Sequence, residues 1–291
     1  MPELPEVETT VNELRNKILG RKILRVWTDF EKMFKPDFLT FKKGVISQTI
    51  REISRRGKNI IIKLGSGKYI LVHQKLTGSL LYGTEINPVR NRISNGVKNP
   101  YIHLVLYLNK GILALSDLRK FAKVAFIPDL ENYPDYKNLG LEPLSWGFTL
   151  EKFEEILKKS KGKIKKVLMD QNKIAGIGNI YSDEILFEAK VSPLRETQKL
   201  KTKETKILYL VIKKILTKAI KAKGTSVSDY RRPSGEKGNF AKFLKVYPVR
   251  DCKISNGVYH RTGKSCPRCG TKIQRLKFAG RSAHFCPRCQ K

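Results

Sequence analysis

The chain has 291 residues, 40% of them hydrophobic, so it is long enough for two domains and apolar enough for ordinary cores, which excludes wholesale disorder. Its 59 lysines and arginines against 26 acidic residues give a formal charge of +33 and an isoelectric point near 10.0; a polyanion relieves such self-repulsion, which favours nucleic acid over an anionic membrane surface, with a lysine-rich composition bias as the plainer reading. There is no apolar run of about 18 residues and no basic-then-apolar leader, which argues against a membrane span or secretion and for a soluble cytoplasmic protein.

The chain opens Met1-Pro2-Glu3-Leu4-Pro5-Glu6-Val7-Glu8. Val7, Val11, Leu14 and Ile18 recur at helical spacing and Gly20 ends the run, which predicts an amphipathic helix from Pro5 to Ile18. Prolines and acids are good first-turn residues, and that alone explains them. A chemical reading stays open beside it. Methionine before proline is expected to be removed, leaving Pro2 with a secondary amine. An α-amino group has a pKa of about 8 against about 10.4 for lysine, so roughly a tenth of it is neutral at pH 7. The positive end of the helix lowers that value further. Such an amine can attack a sugar or aldehyde carbon to give an iminium. Glu3 would stand beside it as proton donor or acceptor, and Glu6, one turn later, would bond the exposed N–H groups.

Residues 22–127 read as β structure: Lys22–Val26, Asn59–Leu64, Tyr69–His73, His103–Leu108 and Lys123–Ile127 are short and mostly β-branched, with turns such as Gly65-Ser66-Gly67 and Asn109-Lys110-Gly111. That spacing suggests a sandwich or barrel. Pro128–Gly147, rich in Pro, Asn, Asp and Gly, marks a linker. From Thr149 the period becomes helical, with one helix opening at Thr149 and a long one over Lys203–Lys223 that stops at Gly224. Residues 225–242 are polar and glycine-containing, and are expected to form a mobile loop. The expected boundaries are 1–130 for the β domain, 131–148 for the linker, 149–245 for the helical domain and 246–291 for a cysteine-bearing tail.

Between the two helices, Ala175-Gly176-Ile177-Gly178-Asn179-Ile180-Tyr181 makes a glycine turn that opens another helix. Its N-terminus suits an anion, with Asn179 adding a donor; a glycine turn that merely packs two helices is the alternative. The lysines upstream, including Lys158, Lys159, Lys163 and Lys165, favour phosphate, although such lysines are usually just solvated. In the tail, Cys266-Pro267-Arg268-Cys269 and Cys286-Pro287-Arg288-Cys289 stand 16 residues apart. Two C-x2-C pairs supply the four thiolates of a closed structural zinc site; unpaired cysteines or a redox pair are the alternatives. The spacer fits a hairpin over Lys272–Phe278 and Ala283–Phe285, with Arg281 projecting from its tip. Cys252 falls outside this set.

Together, Pro2-Glu3-Leu4-Pro5-Glu6-Val7-Glu8, the Ala175–Tyr181 turn followed by Asp183-Glu184, and Phe278-Ala279-Gly280-Arg281-Ser282-Ala283-His284-Phe285 between the cysteine pairs resemble the bacterial formamidopyrimidine-DNA glycosylase (Fpg/MutM) family over nearly the whole chain. Leu4 favours this group over the related endonuclease VIII branch, which opens Pro-Glu-Gly-Pro-Glu. The resemblance implies an α+β fold: an N-terminal β-sandwich with an N-terminal helix, a helix–two-turn–helix domain and a C-terminal zinc-finger β-hairpin. It implies a monomeric, nucleoid-associated DNA repair enzyme with no membrane partner. Such enzymes excise 8-oxoguanine and formamidopyrimidines from damaged duplex DNA through a Schiff base and then cut the strand by β,δ-elimination.

By the same resemblance Pro2 is the nucleophile at C1′, Glu3 the general acid/base, Glu6 its support and Lys58 a phosphate contact that assists chemistry. His73, Lys165, Asn179 and Arg281 are DNA contacts, with Lys165 near the flipped nucleotide. Leu76, Arg119 and Phe121 fill the hole left by the base, and Cys266, Cys269, Cys286 and Cys289 hold one structural zinc ion. Four departures stand out: Leu76 replaces a usual methionine, Tyr101 replaces the first of two histidines of which His103 is the second, Lys166 replaces a common proline after Lys165, and Ala122 replaces a glycine. The competing readings are an endonuclease VIII-like glycosylase for oxidised pyrimidines and a non-catalytic lesion-binding module.

Pro88–Val97 and Pro248–Val258 resemble each other, both running Pro-Val-Arg to Ile-Ser-Asn-Gly-Val, and a separation of 160 residues is wrong for a solenoid. Both copies are polar and carry a turn signal. They read as two related surface insertions. Deleting either is expected to leave the melting temperature within about 3 °C and strand nicking intact; a large loss of either would show that the segment is part of the fold or the site.

Overall fold

The computed structural model describes residues 1–84, 86–87, 92–93, 99–227, 229–246, 262–278 and 280–291. Most of both related insertions, and Cys252, lie outside the described residues. The chain divides into two compact units: Met1–Asn138 with Asp229–Gly238, and Leu139–Ser228 with Asn239–Lys291. No helix among the described residues is long and apolar enough to cross a membrane.

The first unit begins with α1 (Leu4–Ile18), whose buried face is set by Val7, Val11, Leu14 and Ile18. Then come β1 (Ile23–Thr28), β2 (Phe34–Lys35), α2 (Phe38–Val45), β3 (Ile50–Arg56), β4 (Asn59–Leu64), β5 (Tyr69–His73) and β6 (Gly78–Gly83). A short hairpin, β7 (Ile86–Asn87) and β8 (Arg92–Ile93), precedes β9 (Ile102–Leu108), β10 (Ile112–Asp117), β11 (Lys123–Ile127) and the single turn α3 (Pro134–Lys137). A four-stranded sheet, ordered β1-β9-β10-β6, and a five-stranded sheet, ordered β2-β11-β5-β4-β3, share one apolar core. Strand alternation decides what enters it. Leu104, Leu106 and Leu108 of β9 face Ile60, Ile62 and Leu64 of β4, while their outward neighbours Val105 and Ile61 join separate clusters. Tyr133 and Tyr136 cover the outer face of β4, β5 and β11, which makes those strands apolar on both sides.

Residues 38–45, expected within β structure, instead form α2. Asp37 caps it by accepting the amide of Thr40 at 2.8 Å, and Phe41 and Val45 bury one helical face. Gly44 lies on that helix because a Cβ there would come within 2.2 Å of the Phe126 ring.

The second unit contains α4 (Leu150–Lys159), α5 (Ile164–Met169), α6 (Asn179–Glu188), α7 (Thr202–Lys221) and the hairpin β12 (Gln274–Phe278) and β13 (Arg281–Phe285). Thr149 caps α4. Aromatic packing of Phe148 on Phe153 and Tyr209 joins α4 to α7. Residues 225–242, expected as a mobile loop, are tied down instead. Thr225 pairs with Asn239 by a β-bridge, Phe240–Phe243 makes a 3-10 turn, and Thr225, Tyr230 and Phe240 are buried.

Candidate active site

The start of α1 is organised by its own first turn. The Glu6 carboxylate accepts the amide of Glu3 at 2.8 Å, forming a capping box that fixes the extended Glu3 backbone. Pro2, Glu3 and Glu6 are all buried. Burial pushes the α-amino group of the chain below its ordinary value; Glu3, Glu6 and Asp229 push it up and Lys58 pushes it down, and burial prevails. These groups therefore share one electrostatic pocket.

Lys58 enters the pocket from the two-residue turn between β3 and β4, where Gly57 takes φ +58. Arg55 holds that turn: it donates to Glu8 of α1 at 2.7 Å and to the Gly57 carbonyl at 3.0 Å. One helix thus positions the amine, both carboxylates and, through Glu8, the lysine. His73, at the end of β5, is half-buried, and its Nδ1 accepts the Lys75 amide at 3.0 Å, so the neutral ring carries its proton on Nε2. Burial first, then the charges of Lys75 and Lys58, lowers its pKa to about 3.

Leu76, Arg119 and Phe121 sit on two loops that one buried carboxylate joins. Asp117 receives the hydroxyl of Thr77, the amide of Arg119 at 3.3 Å and the amide of Ala122 at 2.7 Å. Arg119 lies 4.5 Å over the Phe121 ring, and Phe121 is 46% exposed. Both loops contain a lysine in the left-handed region, Lys75 at φ +52 and Lys120 at φ +55. Each such residue costs about 1–3 kcal/mol, and such strain concentrates at binding sites. Gly78 closes the first loop, since a Cβ there would stand 2.4 Å from the Gln74 carbonyl oxygen.

The segment Asp229–Gly238 lies along α1 in the same unit. The Tyr230 hydroxyl donates to the Glu6 carbonyl at 3.0 Å and sits 3.4 Å from the Thr10 hydroxyl. Arg232 pairs with Glu13 at 2.6 Å, and the Tyr82 amide donates to Pro233 at 2.9 Å.

In the second unit, Asn179 is the first residue of α6 and Arg281 the exposed first residue of β13. Gln171 braces the glycine turn before α6 by accepting the Gly176 amide at 2.9 Å and donating to the Ile177 carbonyl at 2.8 Å. Lys165 requires a correction. Expected near the flipped nucleotide, it is fully buried here, its ammonium bonded to Asp183 at 2.5 Å and to the Ser282 carbonyl at 2.8 Å. The sulfurs of Cys266, Cys269, Cys286 and Cys289 all lie within 4.8 Å of one another, with Cys269–Cys286 at 3.5 Å and Cys266–Cys289 at 3.9 Å. A tetrahedron with bonds of about 2.3 Å has edges of about 3.8 Å, so the set fits one zinc ion in a closed structural site. Asp117, Arg55, Tyr230 and Gln171 escaped sequence reading. Only Asp117 carries a local signal, an acid at a strand end before a loop.

Residues 1–124 match the formamidopyrimidine-DNA glycosylase N-terminal domain, 139–231 the H2TH domain of the same enzyme, and 263–291 the zinc finger found in FPG and IleRS. The formamidopyrimidine-DNA glycosylases of Carboxydothermus hydrogenoformans and Pelotomaculum thermopropionicum are 38% and 37% identical to the chain, covering all of it and 100% and 99% of their own lengths. Among solved structures, Lactococcus lactis Fpg with DNA containing Fapy-dG is similar at TM-score 0.85 and 36% identity, over 99% of this chain and 100% of that one. MutM with DNA containing carbocyclic 8-oxo-G is similar at TM-score 0.85 and 35% identity, over 100% of both chains.

Two predictions follow from this geometry. Asp117→Ala strands three donors and is expected to cost about 3 kcal/mol in urea unfolding, with the Thr77 and Arg119 loops gaining protease sensitivity; unchanged stability would remove Asp117 as their organiser. His73 concerns pH. Because its folded pKa lies below the ordinary value of about 6.5, the unfolded chain takes up the proton first as pH falls, so its contribution is full above about 6.5 and declines toward pH 3. Wild type should therefore lose more stability than His73→Gln between pH 7 and pH 4, and equal losses would mean that the ring titrates normally.

Proposed function

The chain belongs to the formamidopyrimidine-DNA glycosylase family, and from that premise we propose how its residues divide the family's reaction. The protein is a DNA repair enzyme, a glycosylase for formamidopyrimidine lesions in DNA with abasic-site lyase activity, and it carries one structural zinc ion. Its substrate range is proposed to include 8-oxoguanine. The observation that carries the reading is the start of α1, where Pro2, Glu3 and Glu6 are buried together and the Glu6 carboxylate holds the Glu3 amide.

A base inside a duplex hides its C1′ atom, so the nucleotide must leave the stack. Leu76, Arg119 and Phe121 occupy the vacated space, and the Arg119–Phe121 stack supplies a wedge already partly formed. Lys58, the neutral Nε2–H of His73, Asn179 and Arg281 bond phosphates. The Pro2 nitrogen then donates its lone pair to C1′ while the glycosidic bond breaks and its electrons leave with the base, which takes up the proton that the Pro2 nitrogen releases. Glu3 gives a proton to the deoxyribose ring oxygen as the C1′–O bond opens, leaving an iminium between C1′ and Pro2. Loss of a C2′ proton expels the 3′ phosphate, and loss of the C4′ proton then expels the 5′ phosphate. Glu6 holds the Glu3 backbone throughout. The four cysteines hold the zinc that folds the hairpin bearing Arg281. One chain carries every site residue, and the reading takes it to act as a monomer on nucleoid DNA in the cytoplasm.

Borohydride added during turnover of an 8-oxoguanine duplex is expected to crosslink protein to DNA, with the adduct mapping by peptide mass to Pro2 and the yield collapsing in Pro2→Gly. An adduct on a lysine would remove Pro2 from its role. Binding without crosslinking or nicking would favour a lesion-binding module, and excision of thymine glycol in preference to 8-oxoguanine would favour the oxidised-pyrimidine branch.

A further inference from the structure

Lys165 lies on α5 with its side chain fully inside the second unit. Taking an ammonium out of water costs several kcal/mol unless its partners are complete, and an apolar residue of similar volume is often no less stable there. The partners here are specific. The Nζ atom donates to Asp183 Oδ1 at 2.5 Å and to the Ser282 carbonyl at 2.8 Å. The other oxygen of Asp183 accepts the amide of His284 at 3.1 Å and faces that residue's Nδ1 at 3.0 Å. Stability alone does not call for such a group, whereas a fixed geometry does.

What the network joins indicates which geometry. Ser282 follows Arg281 on β13, and Asp183 lies one helical turn after Asn179 on α6. Two further ties run from α6 to the segments around the cysteines. Glu184 accepts the amides of Lys245 and Val246 at 2.8 and 2.9 Å, and Arg268 donates to the Phe187 carbonyl at 2.6 Å. Both hold the base of the hairpin. The Lys165–Asp183 pair instead reaches the end of β13 that carries Arg281, at the Ser282 carbonyl. We propose that Lys165 is a positioning residue for DNA binding: through Asp183 and the Ser282 carbonyl it sets the distance between Asn179 and Arg281, so that both meet phosphates of one duplex. This rests on the reading of Asn179 and Arg281 as phosphate contacts.

The test uses the full, zinc-loaded chain and a duplex carrying a reduced abasic site, with affinity measured across salt concentrations. Arg281→Ala is expected to weaken binding about tenfold and to reduce the salt slope by about 0.9, the loss of one phosphate. Lys165→Met should do the same, and the double variant should lose no more than either single one. A merely structural lysine would lower the melting temperature yet leave the Arg281→Ala effect intact, so additive losses overturn the proposal. Unchanged affinity and slope in Lys165→Met overturn it as well. So does a loss of 8-oxoguanine excision with unaltered abasic binding, which would put the lysine at the base. If Arg281→Ala alone has no effect, the phosphate reading fails first and the proposal with it. Should Lys165→Met lose zinc or fail to fold, Lys165→Met/Asp183→Asn leaves no unpaired buried charge and takes its place in the same cycle.

Discussion

A catalytic amine at a chain terminus has no covalent neighbour on one side, so its position depends on how firmly the next few residues are held. Here that depends on the bond from the Glu3 amide to the Glu6 carboxylate. The bond closes the first turn of α1 and also places a second carboxylate beside the terminus. The carbonyl of Glu6 is held in turn by the hydroxyls of Thr10 at 2.9 Å and Tyr230 at 3.0 Å. The residue that fixes the first turn is thus fixed at both its side chain and its main chain. The rest of α1 packs by Val7, Val11, Leu14 and Ile18 into the sandwich core, which makes the helix a rigid mount.

The wedge loops follow a different principle. They hold an exposed arginine and phenylalanine in left-handed, strained backbone, which a loop adopts only if something stronger fixes it. Asp117 supplies that by joining Thr77 to Arg119 and Ala122 from a fully buried position. A buried carboxylate is costly unless its oxygens are satisfied, and three donors satisfy this one. The tight turn at Gly78 and the alanine at position 122, which is fully buried, complete the geometry. The substitution of alanine for the family's usual glycine there is therefore accommodated: the side chain lies in the apolar core.

Much of this was legible in sequence, and the illegible remainder has physical causes. Strands β4, β5 and β11 stand out because they are apolar on both faces, one toward the core and one under Tyr133 and Tyr136. Strand β3 is hidden because Ile50 and Ile53 are its only buried residues, Arg51 and Glu52 are exposed, and a bulge between Ile50 and Glu52 breaks the alternation. Helix α2 has only eight residues and contains Gly44, so its period is too brief to rise above the β-rich surroundings. At the site, Pro2, Glu3, Glu6 and the four cysteines sit in local motifs and can be read by spacing. Arg55 and Tyr230 act on residues distant in sequence, and no spacing signals that; Asp117 bonds its own loop but also reaches Thr77, 40 residues back. Lys165 misleads in the opposite direction: its motif is visible, but the carboxylate that buries it lies 18 residues on. The loop over 225–242 looks polar and mobile because its anchors, Tyr230 and Arg232, are short matches to α1 rather than a periodic pattern.

The acidic residues explain how a chain of +33 can fold and still be available to DNA. Several of them make internal contacts, although others are exposed. Glu8 holds Arg55, Glu13 holds Arg232, Asp183 holds Lys165 and His284, Glu184 holds two backbone amides, and Glu188 holds Arg268 at 2.8 Å. Asp183 and Glu184 are almost fully buried, where screening is weak and a charged hydrogen bond is strongest. Each contact removes a negative charge from the surface without adding to the repulsion between lysines. The unpaired positive charge that remains is what a phosphate backbone would neutralise. Fold and DNA affinity are thereby partly separable: the acids fix the geometry inside each unit, and the bases left over set the strength and salt dependence of binding.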